Sequence, residues 1–204
     1  MSRPMSESLD ARRKRVMDAA RTALIERGYH DVTLDSVARR ARLSKGSLYL
    51  YFKDKEGIFA AVLSDVLDRL DEQLRGVPRE GSSLVCLTRM ASEMLAFVDE
   101  NRDFLIQFSR EKPDLCGKRA GTVLQKRFSE HLLFVSDGIA RCVKEGSVRK
   151  HDPALGSLFF ISLVRMFMLQ NVMGGAKGPL RPKADQLMEL FLHGLGGKGA
   201  KPHA

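Results

Sequence analysis

Residues 33–56 read TLDSVARRARLSKGSLYLYFKDKE, and this stretch decides the fold. It predicts two short helices, one capped near Thr33 that runs through Ala41 and one capped by Ser44 over residues 46–52. About three residues separate them, which is helix-turn-helix spacing. We expect small and apolar side chains to pack the two helices together, namely Val37, Ala38, Ala41, Leu43 and Leu48.

The second helix of the pair is predicted to carry a polar face. This face presents Lys45, Ser47, Tyr49 and Tyr51, whereas Phe52 points the other way into the core. Base edges and phosphates are read by donors, acceptors and groups that contact thymine methyls. A DNA-reading role therefore competes with a simpler interpretation, in which Tyr49 and Tyr51 are surface residues of an amphipathic helix.

Helices are predicted on both sides of this motif, and strand-like alternation is missing. The pattern predicts an all-α fold with a three-helix DNA-binding domain at residues 1–56, a larger helical domain at 57–196 and a disordered tail at 197–204. The remaining helices are expected at Glu7–Arg27, Asp54–Arg75, Ser83–Asn101, Asp103–Glu111, Gly121–Glu145, Pro153–Met173 and Pro182–Gly194.

The charge is concentrated in the N-terminal quarter of the chain. The 204 residues carry a net charge of +9, and residues 1–56 hold 13 basic against 8 acidic residues. A basic small domain favours a polyanionic partner, although charge alone does not separate DNA from RNA or a membrane surface. The run from Arg12 to Arg15 is either a phosphate-binding arm or a solvated helix start.

Several other classes of protein find little support in the sequence. No apolar stretch reaches the roughly 18 residues of a membrane span, and residues 1–10 lack the apolar core of a signal peptide, so a cytoplasmic protein without a membrane partner is expected. Cys86, Cys116 and Cys142 lie far apart, and the histidines lack metal-ligand spacing. Neighbours such as Glu130 and His131 do not face each other on a helix. We therefore predict no metal, no cofactor, no catalytic residue and no enzymatic activity.

The motif closely resembles the TetR (tetracycline repressor) family of bacterial regulators. The resemblance is carried by Gly28-Tyr29, by residues 33–38 and above all by SKGSLYLYFKDKE at residues 44–56, and it is dense over about residues 11–65. It implies base-edge contacts by Lys45 and Ser47, and phosphate or thymine-methyl contacts by Tyr49. The full set of DNA-binding residues implied in this way is Thr33, Arg42, Ser44, Lys45, Gly46, Ser47, Tyr49, Tyr51 and Lys55.

Arg42 departs from the family pattern, which usually has glycine in this turn. A positive φ at this position would cost arginine about 1 kcal/mol relative to glycine. Either the turn differs slightly, or Arg42 gains a phosphate contact in exchange.

The resemblance also implies a ligand-binding and dimerisation role for the C-terminal domain. Adaptable methionines and flat aromatic rings suit an irregular apolar cavity, although a solid core would use the same residues. The expected effector is largely apolar, and an anionic nucleotide would fit poorly unless Arg89 or Arg127 turns inward. The tentative pocket residues are Met90, Met94, Phe97, Phe104, Phe108, Phe128 and His131.

The segment from Leu158 to Leu169 is apolar except at Ser162 and Arg165, so a second copy of the chain is its expected cover. The resemblance likewise places the last two long helices in a dimer interface. Such a homodimer would hold two recognition helices about 34–36 Å apart on a palindromic operator. The tentative interface residues are Leu158, Phe159, Ser162, Arg165, Met166, Leu169, Leu187, Leu190 and Phe191.

These expectations describe a repressor that a small-molecule effector releases from double-stranded operator DNA through a tilt of the helix at residues 54–75. Activation and co-repression remain alternatives within the same class. Two rivals come from other classes. A small helical enzyme would need a convergent polar site, and a nucleoid-type protein that binds DNA without sequence preference would not need a polar recognition face.

Overall fold

A computed structural model of the chain describes residues 8–110, 117–173 and 178–194. Over these ranges it contains helices and no strands, so the predicted all-α class is confirmed. The helices are α1 (Leu9–Asp31), α2 (Leu34–Arg40), α3 (Lys45–Tyr49), α4 (Lys55–Arg75), α5 (Ser83–Glu100), α6 (Arg102–Arg110), α7 (Lys118–Lys144), α8 (Pro153–Met173) and α9 (Ala184–His193), with a 3-10 turn at Arg181–Lys183 before α9. The predicted tail and Cys116 lie outside the described residues.

The helix starts follow the capping residues of the sequence. Thr33 and Ser36 form a reciprocal capping box at α2, in which each backbone N–H donates to the other residue's hydroxyl at 3.1 Å. Ser44 caps α3, and Asp54 caps α4 by accepting the Gly57 N–H at 2.7 Å. Each such bond satisfies an N–H that has no partner inside its helix.

Two differences between the predicted and the observed helices involve glycines. Gly28 interrupts α1 as predicted, with a φ of 79° and a ψ of 169°, but a short helical segment continues from there to Asp31. The helix predicted to start at Gly121 begins three residues earlier, at Lys118. Gly28 breaks the helical conformation, whereas Gly121 lies inside α7 without a positive φ.

The described residues divide into two compact units. The first holds residues 8–68, 103–110 and 117–126, and the second holds residues 69–102, 127–173 and 178–194. In the first unit α1, α2 and α3 pack around Val16, Val37 and Leu48, all fully buried. In the second unit α5 packs against α8 and α9, with Leu95 and Phe160 fully buried. The predicted domain boundary at residue 56 concerned function and stays a prediction.

Helix α8 is long and apolar enough to cross a membrane by length and composition, and it is the one such helix in the described ranges. Its mean hydropathy over Pro153–Asn171 is 1.5. The core helix of a water-soluble protein meets the same criterion, and Phe160 and Phe167 of α8 are buried within their own unit. The helix is therefore weak evidence for a membrane protein.

Candidate functional site

The helix-turn-helix is closed by small buried side chains and by backbone hydrogen bonds. Ala38 and Ala41 are buried at the crossing of α2 and α3, together with Val37 and Leu48, while Leu43 is half-buried. The Leu43 N–H donates to the Ala38 carbonyl at 2.9 Å across the turn. Small side chains let two short helices approach closely, so the packing expected from the sequence is present.

Arg42 occupies the turn with a φ of 54°, and it is the one non-glycine residue in the described ranges with a positive φ. The turn therefore keeps the left-handed conformation that favours glycine, and the alternative of a different turn is excluded. Arginine costs about 1 kcal/mol relative to glycine in this conformation. The Arg42 side chain is exposed, and its role in DNA binding stays a prediction.

Helix α3 separates a buried face from an exposed one. Leu48 and the following Phe52 are buried, while Lys45, Gly46 and Tyr49 are exposed. Among the other predicted DNA-contact residues, Thr33 and Ser44 are exposed, whereas Ser47, Tyr51 and Lys55 are half-buried. The Ser47 hydroxyl lies 2.8 Å from the hydroxyl of the capping Ser44, and this bond fixes its position at the start of the helix.

Gly46 is not required by its own chain. Among the described residues, no atom outside its own helix turn lies within 4 Å of the position that a Cβ would take there, and its φ is not positive. Glycine inside a helix costs about 0.5–1 kcal/mol relative to alanine. The described part of the chain therefore gives neither a conformational nor a packing reason for glycine at this position.

Lys45 forms an ion pair with Asp35 of α2. Its ammonium lies 3.0 Å from one carboxylate oxygen of Asp35 and donates to the other at 3.2 Å. This hydrogen bond and the charge of Asp35 raise the pKa of Lys45. Asp35 was not among the predicted site residues, because its contact with Lys45 joins two helices across ten positions of the chain.

Lys55 is held by the end of α1. Its ammonium donates to the His30 carbonyl at 2.7 Å and lies 4.5 Å from the centre of the Tyr29 ring. In the first turn of α4 the Asp54 carboxylate accepts the Gly57 N–H, so this N–H is not available to a phosphate.

The first turns of α4 and α7 cap each other, and this arrangement was not foreseen. Arg119 of α7 donates from both terminal nitrogens to Asp54, at 2.8 and 3.2 Å. In return, Glu56 of α4 accepts the backbone N–H of Arg119 at 2.7 Å. The guanidinium, followed by the Gly57 N–H, lowers the pKa of Asp54. We call Asp54, Glu56, Gly117 and Arg119 the capping clamp.

Gly117 makes the capping clamp possible. It takes a φ of 93°, and a Cβ at this position would overlap the Glu56 carboxyl group. Both the backbone conformation and the close approach therefore need glycine. The signal available in the sequence was weak, because the partners in the clamp lie more than 60 residues apart along the chain.

The predicted pocket residues are divided between the two units. In the first unit Phe104 is buried and Phe108 half-buried; their rings stack 6.3 Å apart, and both line a cavity of about 10 Å³ with Tyr29 and Phe59. The second unit contains the other members: Met90, Met94, Phe97 and His131 are buried, and Phe128 is half-buried.

His131 lines a separate groove of about 330 Å³ in the second unit. Its Nε2 lies 2.6 Å from Asp71, whose other oxygen accepts from Arg127 at 2.8 Å, and Arg127 also contacts Glu130 at 3.1 Å. The side chains of Asp71 and His131 are only 13% and 11% exposed. Arg127 does line this groove, but its charge is already balanced by two carboxylates.

An apolar stripe lies open on α8. Leu158, Phe159, Met166 and Leu169 are each 40–48% exposed, and Ser162 and Arg165 lie on the same exposed side. From α9, Leu190 and Phe191 are half-buried, and the Phe191 ring stacks on Phe159 at 5.9 Å. Leu187, predicted with this group, is fully buried in its own unit and presents no surface to a partner.

A helix-turn-helix with an exposed polar recognition helix, followed by a larger helical region, defines a DNA-binding transcriptional regulator. A sequence model of the family described as "Bacterial regulatory proteins, tetR family" matches residues 16–62, which span most of α1 through the first turns of α4. Residues 16–62 therefore form the N-terminal DNA-binding domain of the TetR family. The resemblance stated from the sequence is thereby confirmed.

Related proteins extend the similarity to nearly the whole chain. The "Fatty acid metabolism regulator protein" of Bacillus subtilis is 24% identical over 192 residues, which cover 90% of this chain and 95% of the relative. The structure of the regulator FadR from Bacillus subtilis, in complex with stearoyl-CoA, has a TM-score of 0.78 at 17% identity and covers 90% of this chain and 99% of that one. AibR, solved with isovaleryl coenzyme A and operator DNA, has a TM-score of 0.68 at 17% identity, covering 89% and 98%. At these identities the two structures establish a shared fold.

Proposed function

We propose that this protein is a cytoplasmic repressor that binds a specific double-stranded operator through the exposed face of α3. The observation that carries the proposal is the open space at Gly46, flanked by Lys45 and Ser47. A backbone without a side chain lets a DNA strand approach closely, while the neighbours supply donors to base edges. Phosphate contacts by Tyr51 and Lys55 would fix the register of the protein on the duplex.

We infer a homodimer on a palindromic site. The apolar stripe of α8, with Phe191 stacked beside Phe159, is the kind of exposed patch that marks an interface rather than a monomer surface. A two-fold dimer would place two copies of α3 about 34–36 Å apart, one DNA turn. Leu187 is left out of this interface because it is fully buried in its own unit.

The effector that we infer is small and largely apolar. Two proteins of this fold were solved with acyl-CoA thioesters, and a relative is a fatty acid metabolism regulator, so compounds with acyl chains are the first class to test. In the second unit the charged groove at His131 is internally neutralised, and that disfavours a multiply charged effector. A thermal-shift series should compare an acyl-CoA, the free fatty acid and coenzyme A alone, since a ligand selective for the folded state raises its melting temperature. Stabilisation by coenzyme A alone, but not by the fatty acid, would contradict an apolar effector.

Release from DNA requires a mechanical connection to the reading helices. We infer that the capping clamp provides this connection, because Arg119 of α7 binds Asp54 and Glu56, which follow α3 closely in the chain. A shift of the first turn of α7 would pull on Asp54 and Glu56 and so re-aim Lys55 and α3. A ligand shifts such an equilibrium only by its differential affinity for the two states.

Sequence selection from random DNA, followed by gel shifts at one fixed salt concentration, tests the proposed function. A specific regulator should prefer its selected site over random DNA by about 10³-fold or more. The selected sites should be palindromic. A nucleoid-type protein would bind both DNAs alike, and that outcome would overturn the proposal. No catalytic step is proposed for this chain.

A further inference from the structure

Asp35 lies beside the residue that was predicted to read the bases. Its carboxylate holds the Lys45 ammonium at 3.0 and 3.2 Å, and the two side chains are 55% and 59% exposed. The Asp35 backbone is held in place, because Asp35 lies in the first turn of α2 between Thr33 and Ser36, the two residues of the capping box. A pair this exposed adds little to folding stability, since water screens it. The position of this ion pair, at the first residue of the recognition helix α3, therefore needs another explanation.

We propose that Asp35 is a specificity-determining residue that reads DNA as a unit with Lys45. The inference rests on the proposed function and deepens it by adding a repulsive element to the recognition face. A lone lysine can bind any phosphate, because its ammonium offers three donors and a free charge. A lysine held by a carboxylate has little net charge to offer a phosphate, and its donors point in fixed directions.

The chemistry of the pair matches a base edge better than a phosphate. The ammonium retains donors for a base acceptor, and the carboxylate retains lone pairs for a base amino group. In the major groove, guanine O6 lies beside the cytosine N4 amino group, and adenine N7 lies beside its own N6 amino group. A phosphate offers acceptors only, so the carboxylate would face it without a partner. Specificity in this scheme comes partly from rejecting the wrong surface.

The substitution Asp35→Asn tests the inference, because it keeps the size of the side chain and removes its charge. Binding to random DNA should become tighter, and the slope of log K against log salt should steepen by about 0.9, the value of one added phosphate contact. The ratio of specific to random affinity should fall by about tenfold or more, within the usual range for one lost base discrimination. Asp35→Glu keeps the carboxylate and should retain most of that ratio.

The matched control is Asp31→Asn, which removes one exposed acidic charge from the end of α1 in the same unit. It should change random-DNA affinity only slightly and leave the ratio intact. Equal effects of Asp31→Asn and Asp35→Asn would overturn the inference, because net charge would then explain both. The melting temperature of each variant should also be measured, so that a loss of folding stability is distinguished from a change in DNA binding.

A double-mutant cycle with Lys45→Ala shows whether Asp35 acts through Lys45. Lys45→Ala alone leaves an unpaired carboxylate facing DNA and should weaken binding to all sequences. Adding Asp35→Asn should restore most of the random-DNA affinity, so that the two changes are strongly non-additive. On the selected operator, both single variants should relax the same base position. Additive effects of the two substitutions, or relaxed preference at different base positions, would overturn the inference. The proposed function would still stand if the wild type binds its selected operator specifically. A wild type without sequence preference would overturn both.

Discussion

One glycine lies in the first turn of α3 and another directly precedes α7, but they are there for opposite reasons. Gly117 before α7 is needed by the chain itself, because its φ is positive and the Glu56 carboxyl occupies the space of a side chain. Gly46 in α3 is exposed, has no such φ and is surrounded by open space. The difference separates a residue that the fold requires from one for which we propose a partner, and our proposal places the apolar stripe of α8 with the second kind.

The largest effect that sharpens this comparison is expected at the α8 stripe. Met166→Glu should convert the proposed dimer to a folded monomer and weaken operator binding by about a hundredfold, because burying an unpaired charge in an apolar interface costs several kcal/mol. Light scattering and gel shifts measure the two effects. Leu133→Glu is the control, since Leu133 of α7 is 70% exposed and apolar but lies outside the stripe. A Met166→Glu protein that stays dimeric would show that the stripe is not the dimer interface.

Gly117→Ala should lower the free energy of unfolding by about 2–3 kcal/mol, through strain at a positive φ and overlap with Glu56. Urea denaturation measures the loss. Gly121→Ala, one turn further along the chain in α7, provides a matched control, because among the described residues no neighbouring atom lies within 4 Å of its Cβ position. That control should be neutral or more stable by up to about 1 kcal/mol. Equal behaviour of the two variants would show that the capping clamp does not depend on Gly117.

Gly46→Ala should separate stability from function. The protein should keep or slightly increase its stability, by up to about 1 kcal/mol, since alanine favours a helix. Binding to the selected operator should nevertheless fall by about tenfold, because the new methyl group occupies the space that we assign to DNA. Denaturation curves and gel shifts on one preparation test both parts. Unchanged DNA binding would place Gly46 outside the interface.

The smallest effect concerns pH and the capping clamp. The pKa of Asp54 is lowered by Arg119, so the ionised carboxyl stabilises the folded protein above its ordinary pKa near 3.8, and this contribution is lost as the pH falls through the lowered value. Screening keeps the contribution below about 1 kcal/mol, because Asp54 is nearly half exposed. Melting temperatures of the wild type and Arg119→Ala, measured between pH 7 and pH 3, should differ most at neutral pH and converge in acid. A difference in melting temperature that grows as the pH falls would contradict a stabilising Asp54–Arg119 ion pair.

Local signals explain which features the sequence predicted well. Thr33 and Ser44 cap their helices through bonds to residues three positions ahead, so a short motif encodes the geometry. The capping clamp and the Asp71–His131 contact join residues about 60 positions apart, and no local pattern specifies them. Leu187 shows the same limit, because periodicity identifies an apolar face but not whether its own chain or a partner covers it.

The division of the chain into two units has a consequence for exchanging DNA specificities between relatives. Residues 103–110 and 117–126 belong to the same compact unit as the helix-turn-helix, although they follow it by dozens of positions. A chimera that transplants only residues 1–56 would combine a foreign Asp54 and Glu56 with the host's Arg119 and Gly117. Transfer of DNA specificity, whether in the laboratory or by recombination, should therefore succeed best when the helix-turn-helix is transferred together with the first turns of α7.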